Sequence, residues 1–310
     1  MKRILMVVLA AALMLAGCAS GAPVDGEMVF TDDLGREVRL GGEPGRVACL
    51  LGSFADVWFL AGGTVIAAPD DAWEDFSLPM PEDAVVLGST KHLSLELLLA
   101  SEPDFVLASA NTQLHLQWKE TLEAAGIPVA YFEVSDFEDY LRLLKVCTEL
   151  TGNPECYEQY GLAIEDQIDR AVELAGEQIL RSGKAPTVLY LRLAASGIRV
   201  KNSRDNVLGE MLRTLGCENI ADSDRALLEN LSMEQILIRD PDYIFLVPQG
   251  DDVEGTRRVL DSFIADHPGW QELTAVKEGR VFTLEKELYS LKPNERWAEA
   301  YEKLVELIWG

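Results

Sequence analysis

Apolar and polar positions follow two periods along this chain. Between residues 28 and 132, short apolar runs bounded by Gly, Pro and Asp alternate with stretches in which apolar residues recur every three or four positions. The first period predicts buried strands and the second amphipathic helices. Residues 28–40 read as a hairpin turning at Asp33-Leu34-Gly35-Arg36. Strands are expected at 46–51, 65–68 and 129–132, and another opens at Phe105. Gly52-Ser53-Phe54 is expected as a loop, with helices at 55–62 and 114–125 and an acidic loop at 69–84. From 136 to 182 the strand pattern disappears and helical spacing continues, broken once at Gly152-Asn153-Pro154. A helix from Pro154 to Leu180, with Ile164, Ile168, Ala171, Val172, Ala175 and Ile179 on its apolar side, would span roughly 40 Å. Beyond Pro186 strands return at 187–193, 198–201 and 281–284, with helices at 206–215, 255–264 and 294–309. The pattern predicts an α/β protein: two three-layer lobes with mainly parallel sheets, joined by one long rigid helix. The expected divisions are a leader at 1–17, a tether at 18–27, a first lobe at 28–150, the joining helix at 151–184 and a second lobe at 185–310.

One stretch occurs twice. Residues 93–106 and 231–244 share the order Leu-Ser-apolar-Glu, then apolar residues, then acid-Pro-Asp-aromatic-aliphatic. The offset is constant, since 96 + 138 = 234 and 103 + 138 = 241. A copy so distant suits two similar lobes rather than a solenoid. Each copy reads as a short helix followed by a strand, with Ser94 and Ser232 as N-caps. Ser232 and Gln235 also fit a capping box. Residues 95, 98 and 99, like 233, 236 and 237, share an apolar helical face. Glu96 and Glu234 fall off that face, near the helix start. Such acids either complement the helix dipole or form a matched pair of exposed carboxylates, one per lobe.

Charge narrows the possible partners. The 310 residues carry a net charge of −25, which disfavours nucleic acid, because phosphate neutralisation needs a basic face. Lys2 and Arg3, the apolar run Ile4–Leu15 and Leu15-Ala16-Gly17-Cys18 make an export leader. Leu-Ala-Gly-Cys resembles the bacterial lipobox, in which cleavage leaves a lipidated Cys18 at the start of the mature chain. Of the other cysteines, Cys49, Cys147, Cys156 and Cys217, none has zinc spacing. Cys147 and Cys156 straddle a turn and are either bridged or free.

No catalytic or metal-ligating constellation emerges. His92, His115 and His267 lack paired spacing, and the chain has no P-loop, GxGxxG or GxSxG. Ser53 follows a strand but lacks the second glycine of a nucleophile elbow. A ligand cleft is better supported, because loops at the carboxyl ends of parallel strands face a common crevice. These loops are 52–54, 70–76, 89–91, 109–111, 193–197, 248–250 and 285–297. Phe54, Trp73, Tyr289 and Trp297 are candidate apolar walls. Arg192, Arg199, Lys201 and Arg204 form the one cation cluster in an acidic chain. Strand alternation places Tyr190 with Arg192 and Arg199 with Lys201, and guanidinium forks suit an anionic ligand.

Taken with the lipobox, the doubled stretch and the joining helix, the sequence resembles the substrate-binding proteins of ABC importers for iron-siderophores, haem and cobalamin. Further matches are Thr31–Val38, Pro44–Val47, Leu215–Ile220 and the run from Trp270 through Leu273 to Val276–Val281. The resemblance covers about residues 28 to 309. It implies a monomeric, lipid-anchored extracytoplasmic binder without enzymatic activity or resident cofactor. Such a protein would capture a metal chelate between its lobes and dock on a permease dimer with its ATPase. By the same resemblance Glu96 and Glu234 would meet permease arginines. An iron complex, either siderophore or haem, is the expected ligand and cobalamin the alternative. Tyr289, Met80 and His92 are the possible axial haem ligands. A surface-anchored hydrolase and a tethered ligand sensor are the competing classes.

Overall fold

A computed structural model describes residues 26–229, 231–250 and 252–310. The leader, Cys18 and most of the tether lie outside the described residues. The first lobe holds a five-stranded, wholly parallel sheet. Its order is Val85–Val86, Val65–Ala68, Val47–Cys49, Phe105–Ser109, Val129–Phe132. In the second sheet, Thr187–Ala194 and Tyr243–Pro248 are central, flanked by Gly197–Lys201 and Val281–Thr283. Only Gly197–Lys201 runs antiparallel, as the return arm of a hairpin, and Glu218–Asn219 adds a short parallel pairing to the start of Thr187–Ala194.

Period-two alternation explains both sheets. Phe105 and Leu107 face one apolar cluster while Val106 and Ala108 face another; Val188 and Tyr190 are opposed to Leu189 and Leu191 in the same way. Both faces of each sheet are therefore covered, as parallel sheets require. The inner faces of the two sheets share one continuous core, and each outer face has a core of its own.

The joining helix is continuous but not uniform. It begins at Pro154–Tyr157, passes through a π-turn at Glu158–Leu162 and continues as Ala163–Ser182. The Tyr140 hydroxyl donates to the Tyr160 carbonyl at 2.9 Å within the π-turn. Gly183, at φ 73°, closes the helix by donating its N–H to the Ile179 carbonyl. Ile164, Ile168, Ala171 and Ala175 form its buried stripe, and the closing helix Trp297–Trp309 packs alongside.

The helix is not the only join. The Trp297 ring, from the second lobe, lies 5.9 Å from Phe137 and 6.5 Å from Tyr140. Asn294 donates to the Ser53 carbonyl at 2.9 Å and to Asp56 at 2.7 Å. Burial, and then repulsion from Glu295, raise the Asp56 carboxyl to about 7 against the pull of that Asn294 bond.

One expectation changes and one alternative is decided. Residues 52–54 are not a loop: the helix starts there and runs Gly52–Leu60. The Asp71 carboxylate accepts the Gly52 N–H at 3.1 Å. A Cβ at position 52 would lie 2.8 Å from the Ala72 nitrogen, so only glycine permits the approach. Cys147 and Cys156 are free rather than bridged, Cys147 being fully buried in the core beneath the first sheet.

Candidate functional site

The repeated stretch builds the same corner in each lobe. Ser94 Oγ accepts from the Leu97 N–H at 3.2 Å, and Ser232 Oγ from the Gln235 N–H at 3.4 Å. Each short helix ends on an acid in the left-handed region, Glu102 at φ 49° and Asp240 at φ 40°. The proline that follows cannot continue a helix. The aspartate after it ties the corner to the start of the neighbouring strand. Asp104 accepts from the Gly45 and Arg46 backbone N–H groups, both at 2.9 Å. Asp242 accepts from the Thr187 N–H at 2.8 Å and hydroxyl at 2.7 Å. Serine and aspartate thus hold the corner together. Glu96 and Glu234 are exposed and have no hydrogen bond or ion pair among the described residues. Leu98, Met233 and Ile236 are buried as expected, but Leu237 turns outward beside Ile238.

A cavity of about 530 Å³ lies between the lobes. Asp75, Thr90 and Lys91 contribute from the first lobe, and Arg192, Arg199 and Lys286 from the second. Five of the seven predicted loop segments supply lining residues; 52–54 and 109–111 do not. Arg192 and Arg199 are directly opposed across the hairpin, as are Tyr190 and Lys201, so all four occupy one face. Like charges directly opposite each other are destabilising. The Arg192 guanidinium donates to the Tyr190 hydroxyl at 3.1 Å and has no carboxylate partner among the described residues. Arg199 and Lys201 also have no ion pair there. Burial, and then repulsion from Arg192, lower the Lys201 ammonium.

Lys292 belongs to the same electrostatic group. Its side chain is half-buried at the seam, and burial followed by repulsion from Arg192 lowers its ammonium. Glu133, Asp139 and Asp71 act on it from the first lobe, but none is at ion-pair distance. Asp71 is itself raised to about 6, chiefly by burial.

The predicted aromatic walls lie elsewhere. Phe54, Tyr289 and Trp297 are fully buried core residues, and none lines the cavity. The Tyr289 hydroxyl donates to the Ala300 carbonyl, and Trp297 joins the interlobe aromatic contact. Trp73 is half-buried against the central core. Aromatics of this size carry the largest apolar area, and here the shared core between the lobes takes it. Met80 and His92 are also outside the cavity lining, His92 facing Ser89 at 3.4 Å. Ser53 is buried in the first turn of its helix with no histidine bonded to it.

Comparison with known proteins is consistent with this geometry. A profile described as "Periplasmic binding protein" matches residues 47–288. The chain belongs to the periplasmic binding protein family. It is 24% identical over 303 residues to the Fe(3+)-citrate-binding protein YfmC of Bacillus subtilis, covering 93% of this chain and 90% of that protein. It is 24% identical over 216 residues to a vitamin B12-binding protein of Pectobacterium atrosepticum, covering 69% and 75%. Among solved structures, Staphylococcus aureus SirA complexed with staphyloferrin B superposes with a TM-score of 0.67. That match has 17% identity and covers 90% of this chain and 96% of that one. The fold of this periplasmic binding protein is thus the two-lobe α/β fold that its sequence pattern predicts.

Sequence reasoning reached Arg192 and Arg199 through strand alternation. It did not single out Asp75, Lys91, Lys286 or Lys292. All four sit in or beside the predicted loops, but no periodicity marks which loop side chain turns inward.

Proposed function

We propose that this periplasmic binding protein is the lipid-anchored, extracytoplasmic component of an ABC importer, and that it captures an anionic ferric chelate between its lobes. The observation that carries the reading is that Lys91, Arg192 and Arg199 line the cleft with no ion pair among the described residues, with Lys201 and Lys292 close behind them, in a chain of net charge −25. Opposing Arg192 to Arg199 costs stability, and a polyanion between them offsets that cost. The described residues lining the cavity include no His, Met, Tyr or Cys. The metal therefore arrives already ligated, which favours a carboxylate-bearing chelate over haem, and no resident cofactor is invoked. Similarity to a ferric-citrate binder supports this class, and similarity to vitamin B12 binders keeps cobalamin as the comparison ligand. The role in this reading is capture rather than catalysis, in keeping with membership of the periplasmic binding protein family. Glu96 and Glu234, on matched corners, present two carboxylates to the permease, where exposed charges set orientation and on-rate more than affinity. Cys18, through its lipid, holds the protein near that permease.

The test is equilibrium titration of intrinsic tryptophan fluorescence with ferric citrate, an uncharged ferric trihydroxamate, haem and cobalamin. Ferric citrate is expected to bind tightest, and Arg192→Ala with Arg199→Ala to weaken it at least tenfold. Preferential binding of cobalamin, or unchanged ferric citrate affinity in the double variant, would overturn the anionic reading.

A further inference from the structure

Among the described residues lining the cavity, Asp75 is the one acid. It stands on the first lobe, just beyond the short helix Asp71–Glu74. Its carboxylate lies 2.8 Å from the ammonium of Lys286, at the start of the second-lobe helix Lys286–Tyr289. The pair therefore crosses the cleft. Both side chains are largely sheltered, at 25% and 16% exposure, where a charge-assisted bond is stronger than at an open surface. The other lining cations, Lys91, Arg192 and Arg199, have no carboxylate partner among the described residues.

We propose that Asp75 is a built-in stand-in for the ligand's carboxylate: it holds Lys286 across the cleft and yields it to an anionic chelate. This rests on the reading of the cleft as an anion site and adds a specificity device to it. A ligand bearing free carboxylates replaces Asp75 at Lys286 with a bond of the same kind, so the freed Asp75 carboxylate is the one net cost and the remaining cations supply the gain. A ligand without anionic groups must either leave the pair in place, with less room, or break it without compensation. Parting a sheltered ion pair is costly. Asp75 thus competes for Lys286 with anionic ligands alone, and a ligand without anionic groups meets the pair intact.

The pair can be separated from a merely structural bridge by the sign of two effects. In a structural bridge, removing either partner loosens the lobes and changes affinity in the same direction. In the proposed competition the two directions are opposite. With ferric citrate as probe, Asp75→Asn is expected to tighten binding about three- to tenfold, because the near-isosteric amide no longer competes as a charge. Lys286→Gln is expected to weaken it about tenfold, the value of one charge-assisted bond. Glu74→Gln, one residue away and exposed with no ion pair among the described residues, removes the same charge and is expected to change affinity less than twofold. Thermal melts confirm that each variant is folded.

Weakening by Asp75→Asn, or equal tightening by Glu74→Gln, overturns the competition. An effect of Asp75→Asn on an uncharged ferric trihydroxamate as large as on ferric citrate also overturns it. If the wild-type chain binds neither probe, the anion-site reading itself fails, and this inference fails with it.

Discussion

Replacing Asp242 with alanine tests the division of labour inside the repeated stretch. Asp242 accepts from the Thr187 N–H and hydroxyl and from Lys184 at 2.9 Å. The Lys184 contact is exposed and contributes little. The other two are bonds to a charged acceptor at a partly buried corner, and their loss strands the Thr187 N–H at the first residue of the central strand. Leaving such a donor unsatisfied costs about 1–3 kcal/mol. With the lost hydroxyl bond, Asp242→Ala is expected to cost about 2–3 kcal/mol, a fall in Tm of roughly 3–5 °C for a chain of this size. Burial by itself raises the Asp242 carboxyl, but the Thr187 bonds and then Lys184 outweigh it, so the folded pKa lies below the ordinary 3.8. The stabilisation is therefore present above pH 4 and is lost as pH falls through the lower folded value. The gap between wild type and variant should narrow correspondingly below pH 4. Glu234→Ala removes no side-chain bond among the described residues and is expected to cost less than about 0.5 kcal/mol. Glu96→Ala with Glu234→Ala should keep ligand affinity and abolish uptake. Urea denaturation with circular dichroism, ligand titration and cellular uptake measure the three quantities. A stability loss for Glu234→Ala equal to that for Asp242→Ala, or lost ligand binding in the glutamate double variant, would refute the assignment.

The remaining predictions concern burial and charge. His115 is fully buried, its Nδ1 accepts the Ser109 N–H at 3.0 Å, and burial lowers its pKa from 6.5 to about 4. The unfolded chain binds a proton there between those values and the folded chain does not, so His115 lowers stability as pH falls, by about 3 kcal/mol below pH 4. His115→Gln should remove that component, read as a wild-type-to-variant difference that changes between pH 7.5 and 4.5; a pH-independent difference would contradict it. Arg199→Glu places opposite charge directly across from Arg192. It should stabilise the hairpin by roughly 0.2–1 kcal/mol while losing ferric citrate binding, and joint loss of both would contradict the cleft assignment. Cys156 is partly exposed while Cys49, Cys147 and Cys217 are buried, so of these four a thiol reagent should label Cys156 alone until the protein is unfolded.

The order of strands and helices was legible in the sequence because it depends on local periodicity. A strand buried on both faces needs a short apolar run, and the joining helix needs an apolar stripe, whatever they pack against. The repeat was legible too, since Ser94, Asp104 and their counterparts act on backbone groups nearby or at a fixed corner. Even the convergence of Arg192 and Arg199 followed from alternation within one hairpin. What tertiary structure alone decided was the direction of side chains whose chemistry allows either role. Phe54, Tyr289 and Trp297 suited a ligand wall, but two sheets facing one shared core bury large aromatic area there first. Asp75 and Lys286 lie 211 positions apart, and nothing local brings them together. Only the closing of two lobes around a cleft makes them partners. The sequence by itself determined the lobes and their matched corners, and the packing of one lobe against the other determined which charges face the ligand.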